Sequence, residues 1–319
     1  MMPDGQYLQR SRFELLDART AFFAVTSVFS TVGIVLVNKI VLGPYNFPFP
    51  IFLTGCHFLV NAFLAAYSGL VERKSISVRS AVVTVGVGSL AMGLSNICLQ
   101  YNSIAAYQCF KLLCAPLSAL TYSLCRVDKV SLAMFASLLT VIAGAAFIIV
   151  TEHNLQITLL GSLVGCCTTV ALTMDQVLFG EVARMEGVSG MELQRAIILY
   201  KGCSMMVFSF FVETRLEFPI QRRLANVDLY LLLAIATTCI FAFAINMVGT
   251  ELVCRTSATT YQLLGSVKTI LTTISGWFYF AIAPDVMLPQ AAGVCVATLG
   301  LFNYLRLKRL DINQRRKEV

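Results

Sequence analysis

Ser257-Ala258-Thr259-Thr260-Tyr261-Gln262-Leu263-Leu264-Gly265-Ser266-Val267-Lys268 sets a lysine near the middle of the apolar stretch Thr256–Phe280. Its opening pattern occurs once more, in Ser103-Ile104-Ala105-Ala106-Tyr107-Gln108, which leads to Lys111 inside the apolar stretch Ser103–Cys125. A charge at the centre of a membrane helix costs about 2.5–3.5 kcal/mol on insertion scales, so it is kept where it faces a wet cavity and serves a purpose. Lys268 is about a dozen residues from either end of its stretch, roughly 18 Å along a helix, which is too deep for easy snorkelling. The paired element predicts two halves meeting at one anion-binding cavity.

The composition supports a membrane setting. Hydrophobic residues make up 57% of the 319 positions and charged residues 13%, about half the charged share of an average soluble domain. The net charge of +7 does not point to nucleic acid, because most Lys and Arg fall in short loops and tails. Ten apolar spans are expected, at about 20–42, 50–71, 80–100, 103–125, 130–150, 157–180, 192–213, 228–249, 256–280 and 286–307. The first is too long for a signal-peptide core and reads as a retained span. Gly43 to Pro50 is a turn, and the boundary at Tyr101-Asn102 is very tight. The fold class expected is therefore an all-α integral membrane protein, with ten transmembrane helices in one transporter domain.

Five spans fall in each half, so the second half (157–307) inserts upside down relative to the first (20–150). Inverted five-helix repeats bind substrate near the midplane, at the repeat interface. With both termini cytosolic, that side receives Arg10, Arg12, Arg19, Arg73, Lys74, Arg79, Arg126, Lys129, Arg184, Arg195, Arg255 and the basic tail Arg306–Lys317. The other side receives Lys39, Arg215, Arg222 and Arg223, so the orientation follows the positive-inside bias.

Helical spacing puts Ser103, Tyr107 and Lys111 on one stripe, and Tyr261, Gly265, Lys268 and Thr272 on another. Each stripe offers a cation, an aromatic hydroxyl and small neighbours. Thr269 lies beside the second stripe and is placed to donate to a phosphate oxygen. A lysine ammonium binds phosphate as a point charge, and a diphosphate between Lys111 and Lys268 would neutralise both. Gln108, Gln262, Asn96, Lys201 and Asn246 are further candidates for the same cavity. Asp175 and Gln176 also lie within a span, where Asp175 either lines the cavity or pairs with a lysine. Gly161 and Gly165 form a small-residue contact motif that serves internal packing or a homodimer seam. The basic tail is suited to phospholipid headgroups.

Eleven cysteines and two distant histidines form no metal-ligand or disulfide pattern, and no cofactor is expected. An embedded transferase or hydrolase would need a nucleophile with its base, or paired carboxylates. The scattered His57 and His153 and the few intramembrane acids do not supply them, so the chain does not read as an enzyme.

The chain resembles the nucleotide-sugar transporters, in the triose-phosphate-translocator-like branch of the drug/metabolite transporters. The resemblance runs over about residues 20–307. Its carriers are Val37-Asn38-Lys39, Tyr45-Asn46-Phe47-Pro48, Asn96 to Ser103 running into Tyr107-Gln108-Cys109-Phe110-Lys111, Arg255-Thr256-Ser257, and Thr260 to Thr269. It implies exchange of a cytosolic nucleotide sugar for a lumenal nucleoside monophosphate across the Golgi or ER membrane, by alternating access. The plastid members, which exchange sugar phosphates or phosphoenolpyruvate for phosphate, follow the last lysine with arginine. Here Thr269 follows Lys268, as in members assigned to nucleotide sugars. The Gly-Ala-Leu-Asn-Lys motif of GDP-mannose carriers is absent, so a UDP-sugar is the favoured cargo.

Overall fold

The structure is a computed structural model that describes residues 18–42, 45, 47, 49–102, 107, 110–124, 131–150, 158–213, 228–256, 261, 264, 265, 267, 268, 270, 271, 274, 275 and 284–315. Among these residues it contains nine helices: α1 (Ala18–Leu42), α2 (Pro50–Tyr67), α3 (Val78–Tyr101), α4 (Cys114–Leu124), α5 (Leu132–Val150), α6 (Leu159–Glu186), α7 (Gly190–Glu213), α8 (Leu229–Arg255) and α9 (Pro284–Arg315). Seven helices are long and apolar enough to cross a membrane: α1, α2, α3, α6, α7, α8 and the Met287–Lys308 part of α9. Apolar helical stretches at Phe110–Thr121 and Leu132–Gly144 are shorter. The stretch expected at 256–280 contributes helical residues at 261, 264, 265, 267, 268, 270, 271, 274 and 275, and its remainder lies outside the described residues.

Local chemistry sets the helix limits. Ser77, Thr158 and Asp228 are N-caps whose side chains accept the amide N–H of Ser80, Gly161 and Leu231, a stabilising arrangement for short oxygen-bearing residues. Phe49 caps α2 without any side-chain bond. Glu213, at the end of α7, fills that place instead: its carboxylate accepts Ile51 N–H at 2.7 Å and Phe52 N–H at 2.8 Å. The α6 helix runs past the expected end at 180 and stops at Gly187, which has a left-handed φ of 65°, a conformation that glycine adopts without strain. Helix α3 ends at Tyr101, and Asn102 is extended, so the tight boundary read from the sequence is a real break.

The helices alternate in direction. Lys74, between α2 and α3, meets Glu192 at the start of α7 at 2.9 Å. Glu186, at the end of α6, accepts from Ser77 and Ser80 at the start of α3. Arg19 in α1 and Arg255 at the end of α8 both lie over the Phe23 ring, at 5.6 and 5.5 Å. These contacts gather one end of the bundle, the basic end. Glu213, Ile51 and the cluster of Val41, Phe47, Phe49, Leu53 and Leu231 mark the other. Phe22, Val25 and Phe29 on α1 are among many large apolar side chains on the exterior. So extensive an apolar surface belongs against lipid.

The most extensive packing joins α5 to α9, α1 to α8, α2 to α7, and α3 to α6. In two of these pairs glycines act reciprocally. A Cβ at Gly144 of α5 would lie 2.4 Å from Ala297 N and 2.7 Å from Gly293 O. One at Gly300 of α9 would lie 2.8 Å from Val141 N and 2.9 Å from Ser137 O. Each glycine thus meets the amide three residues before the other, and the two backbones run antiparallel at close contact. In the α2–α7 pair, Gly55 meets Met206 and Gly202 meets Leu59, each one turn beyond the opposing glycine. Gly161 and Gly165 also pack internally, against Asn102 and the Phe110 ring.

Candidate functional site

The segment bearing Lys111 is docked on α6. Thr169 Oγ1 donates to Phe110 O at 2.8 Å, Cys114 Sγ lies 3.6 Å from Thr169 O, and Gly165 leaves room for the Phe110 ring. The helix is interrupted at Leu113. Pro116 lacks the N–H that the Leu112 carbonyl would accept, so the break two residues after Lys111 has a local cause.

Lys111 Nζ stands 5.3 Å from the centroid of the Tyr107 ring, and Lys268 Nζ stands 4.9 Å from that of Tyr261. Both are cation–π distances. The Tyr107 hydroxyl pairs with Ser95 Oγ of α3 at 2.7 Å. The Tyr261 hydroxyl lies over Gly249 of α8, where a Cβ would come within 2.8 Å of it. Ser95 precedes Tyr107 by the same twelve residues that separate Gly249 from Tyr261. The two tyrosines thus touch equivalent points on α3 and α8.

Lys268 is buried, and it lies within the electrostatic reach of Lys111. Tyr261, which carries Lys268 on its ring, and Cys114 are also within electrostatic reach of Lys111. Lys111 is exposed, on the segment docked against α6. Each lysine thus stands over the ring of a tyrosine on its own segment.

The other expected residues are distributed as follows. Asn96 is half-buried and donates to Thr54 of α2 at 3.2 Å. Asn246 is half-buried in α8, where its carbonyl accepts from Thr250. Gly265 is half-buried on the Lys268 segment. Lys201 is 5% exposed and pairs with Asp175 of α6 at 3.7 Å. Ser103, Gln108, Gln262 and Thr269 lie outside the described residues. Sequence reasoning missed Ser95 and Gly249, since neither a serine nor a glycine in an apolar helix announces the tyrosine packed on it.

A separate cleft of about 360 Å³ opens at the basic end, lined by Arg19, Glu72, Glu192, Glu251 and Arg255 among others. Its charges are largely matched: Arg255 Nε donates to Glu251 at 2.7 Å, and Glu251 also accepts Met191 N–H.

No family model matches the chain. The UDP-xylose transporter 1 of Arabidopsis thaliana is 28% identical over 296 residues, covering 87% of this chain and 81% of that protein. The UDP-rhamnose/UDP-galactose transporter 2 of the same plant is 25% identical over 300 residues, covering 92% and 84%. A crystal structure of a protein 16% identical to this chain superposes with a TM-score of 0.68, over 91% of this chain and 99% of that one, and has the same fold. Over most of its length, the chain is similar to nucleotide-sugar transporters.

Proposed function

We propose that the protein is a nucleotide-sugar transporter of the Golgi or ER membrane, in the triose-phosphate-translocator-like branch, that exchanges a UDP-sugar for a nucleoside monophosphate. The observation that carries this reading is a pair of lysines, each over the ring of a tyrosine on its own segment and within electrostatic reach of the other. The diphosphate of the sugar nucleotide neutralises the two ammonium groups. Tyr107 and Tyr261 offer ring faces and hydroxyls. Thr269, Ser103, Gln108, Gln262, Gly265, Asn96 and Asn246 complete the proposed substrate-contacting set. The similarity to UDP-xylose and UDP-rhamnose/UDP-galactose transporters supports the class of cargo and does not favour the plastid-type sugar-phosphate alternative.

Ten helices in two inverted repeats, 20–150 and 157–307, are part of the reading. Exchanging the halves would map α1 onto α6, α2 onto α7, α3 onto α8 and α5 onto α9. That exchange leaves the packing pairs α5–α9 and α2–α7 in place and turns α1–α8 and α3–α6 into one another. The reciprocal glycines of α5–α9 and α2–α7 are the contacts that an axis in the membrane plane would produce. The Ser95–Tyr107 and Gly249–Tyr261 pairs agree with it. Alternating access then tilts one repeat against the other around the lysines. The basic end is cytosolic, with both termini on that side.

The experiment is uptake of labelled UDP-sugars into vesicles reconstituted with the purified chain, empty or preloaded with UMP. Preloading should stimulate uptake severalfold. Equal uptake into empty and preloaded vesicles would reject exchange, and no uptake or binding of any UDP-sugar would reject the class.

A further inference from the structure

We infer that Lys201 is a positioning charge: by neutralising Asp175 it prevents that carboxylate from weakening the hold of the two-lysine site on an anion. The inference rests on the reading of Lys111 and Lys268 as that anion site, and it gives Lys201 a role without direct contact with cargo.

The Lys201–Asp175 pair is built into the interface of α3, α6 and α7. The ammonium and the carboxylate are 3.7 Å apart, and their side chains are 7% and 12% exposed. Lys201 Nζ lies 5.6 Å from the Phe179 ring centroid. A Cβ at Gly88 of α3 would come within 2.5 Å of Lys201 Nζ and 2.8 Å of Asp175 Oδ1. The backbone of α3 therefore closes directly on the pair and excludes water from it. Asp175 Oδ1 accepts no hydrogen bond there.

Asp175 also shares α6 with the docked Lys111 segment: Thr169 Oγ1 donates to Phe110 O, next to Lys111, and Asp175 follows six residues on, about 9 Å along the helix, where its field reaches Tyr261. Without Lys201, a full negative charge would act on the wall where a diphosphate is to bind. A buried ion pair is weak support for stability, since an apolar pair of similar volume serves as well or better. Charge balance beside an anion site gives this pair a purpose that packing alone does not.

The test uses the full chain in reconstituted vesicles, with concentration-dependent uptake of a labelled UDP-sugar and quantified carrier, so that KM and Vmax separate. Lys201→Met should raise KM roughly tenfold, the size expected for a unit charge about 10 Å away at an effective dielectric of about 20. Asp175→Asn should not raise KM, and the double variant should return KM to near the wild-type value. A merely structural pair would instead lower the amount of working carrier, hence Vmax, in both single variants. The inference is overturned if Asp175→Asn raises KM, or if the double variant keeps the KM of Lys201→Met, which would mean that Lys201 touches cargo itself. Should Lys201→Met fail to fold, Asp175→Asn alone decides by the sign of its KM change. Wild-type vesicles that take up no UDP-sugar would defeat the underlying transporter reading, an outcome separate from either result.

Discussion

Tyr261 is held between α8 and the Lys268 ammonium. The helix side leaves it no slack, because Gly249 is the only residue type that fits beneath its hydroxyl without displacing it. Gly249→Val should push the ring off Lys268 and raise the KM for UDP-sugar, with only a modest loss of folded carrier. Vesicle uptake normalised to the monodisperse fraction checks it. The lysines themselves should matter more. Lys268→Met and Lys111→Met each remove charge-assisted bonds worth about 1.5–3 kcal/mol, a loss of roughly tenfold to over a hundredfold in affinity. The thermal shift induced by UDP-sugar or UMP should disappear in both variants while their unliganded Tm stays near wild type. A retained shift would remove the lysines from the site. These lysines were legible in the sequence because intramembrane charge is rare and the surrounding motif recurs. Gly249 and Ser95 were not, because their significance lies entirely in what packs against them.

At the level of single helices, α2 depends on its neighbour for its beginning. Glu213 is fully buried, and its carboxylate takes up two amide groups of α2 and the Ser209 hydroxyl. Leaving a buried donor without an acceptor costs about 1–3 kcal/mol. Glu213→Ala should therefore lower the Tm of the detergent-solubilised protein by several degrees, whereas Glu213→Gln, which retains one acceptor oxygen, should lower it less. Equal losses would mean that the carboxylate only fills space. Hydropathy identified most helices but misjudged their ends. The α6 helix continues through Glu181, Arg184 and Glu186 to Gly187, and α9 continues to Arg315. Polar residues outside the apolar layer end a hydropathy window without ending a helix. Conversely, the bond from Glu213 to α2 spans some 160 positions of sequence, so no local pattern contains it.

Across the whole molecule, the two ends differ in how they are fastened. The basic end is tied by Lys74 to Glu192, Glu186 to Ser77 and Ser80, and Arg255 to Glu251. The carboxylate of Glu192 holds the Lys74 ammonium above the usual lysine range. A raised lysine value means that the tie is complete below the ordinary lysine range and is lost only as pH rises through the elevated one. The difference in Tm between wild type and Lys74→Met should therefore be constant from about pH 6 to 8 and shrink only in alkaline solution. A difference that collapses near neutrality would contradict the pairing. Orientation is open to a direct check. In sealed vesicles, a membrane-impermeant maleimide should label Lys74→Cys from the cytosolic face and Tyr45→Cys only from the opposite face. Charge bias in the sequence is what sets this expected orientation, while the pairing of the helices emerged only once the glycines were seen across from one another.

The Gly144–Gly300 crossing sets a limit on motion. Backbones this close cannot slide or part without losing contact along their length, so the proposed tilt of one repeat on the other has to pivot at this joint. A carrier whose repeats rock needs a fulcrum, and a joint that looks the same from either half serves both extremes of the stroke equally. Bulk added there, as in Gly300→Val, would harm the inward-open and outward-open shapes alike: fewer intact carriers in the membrane, each still binding cargo with unaltered strength.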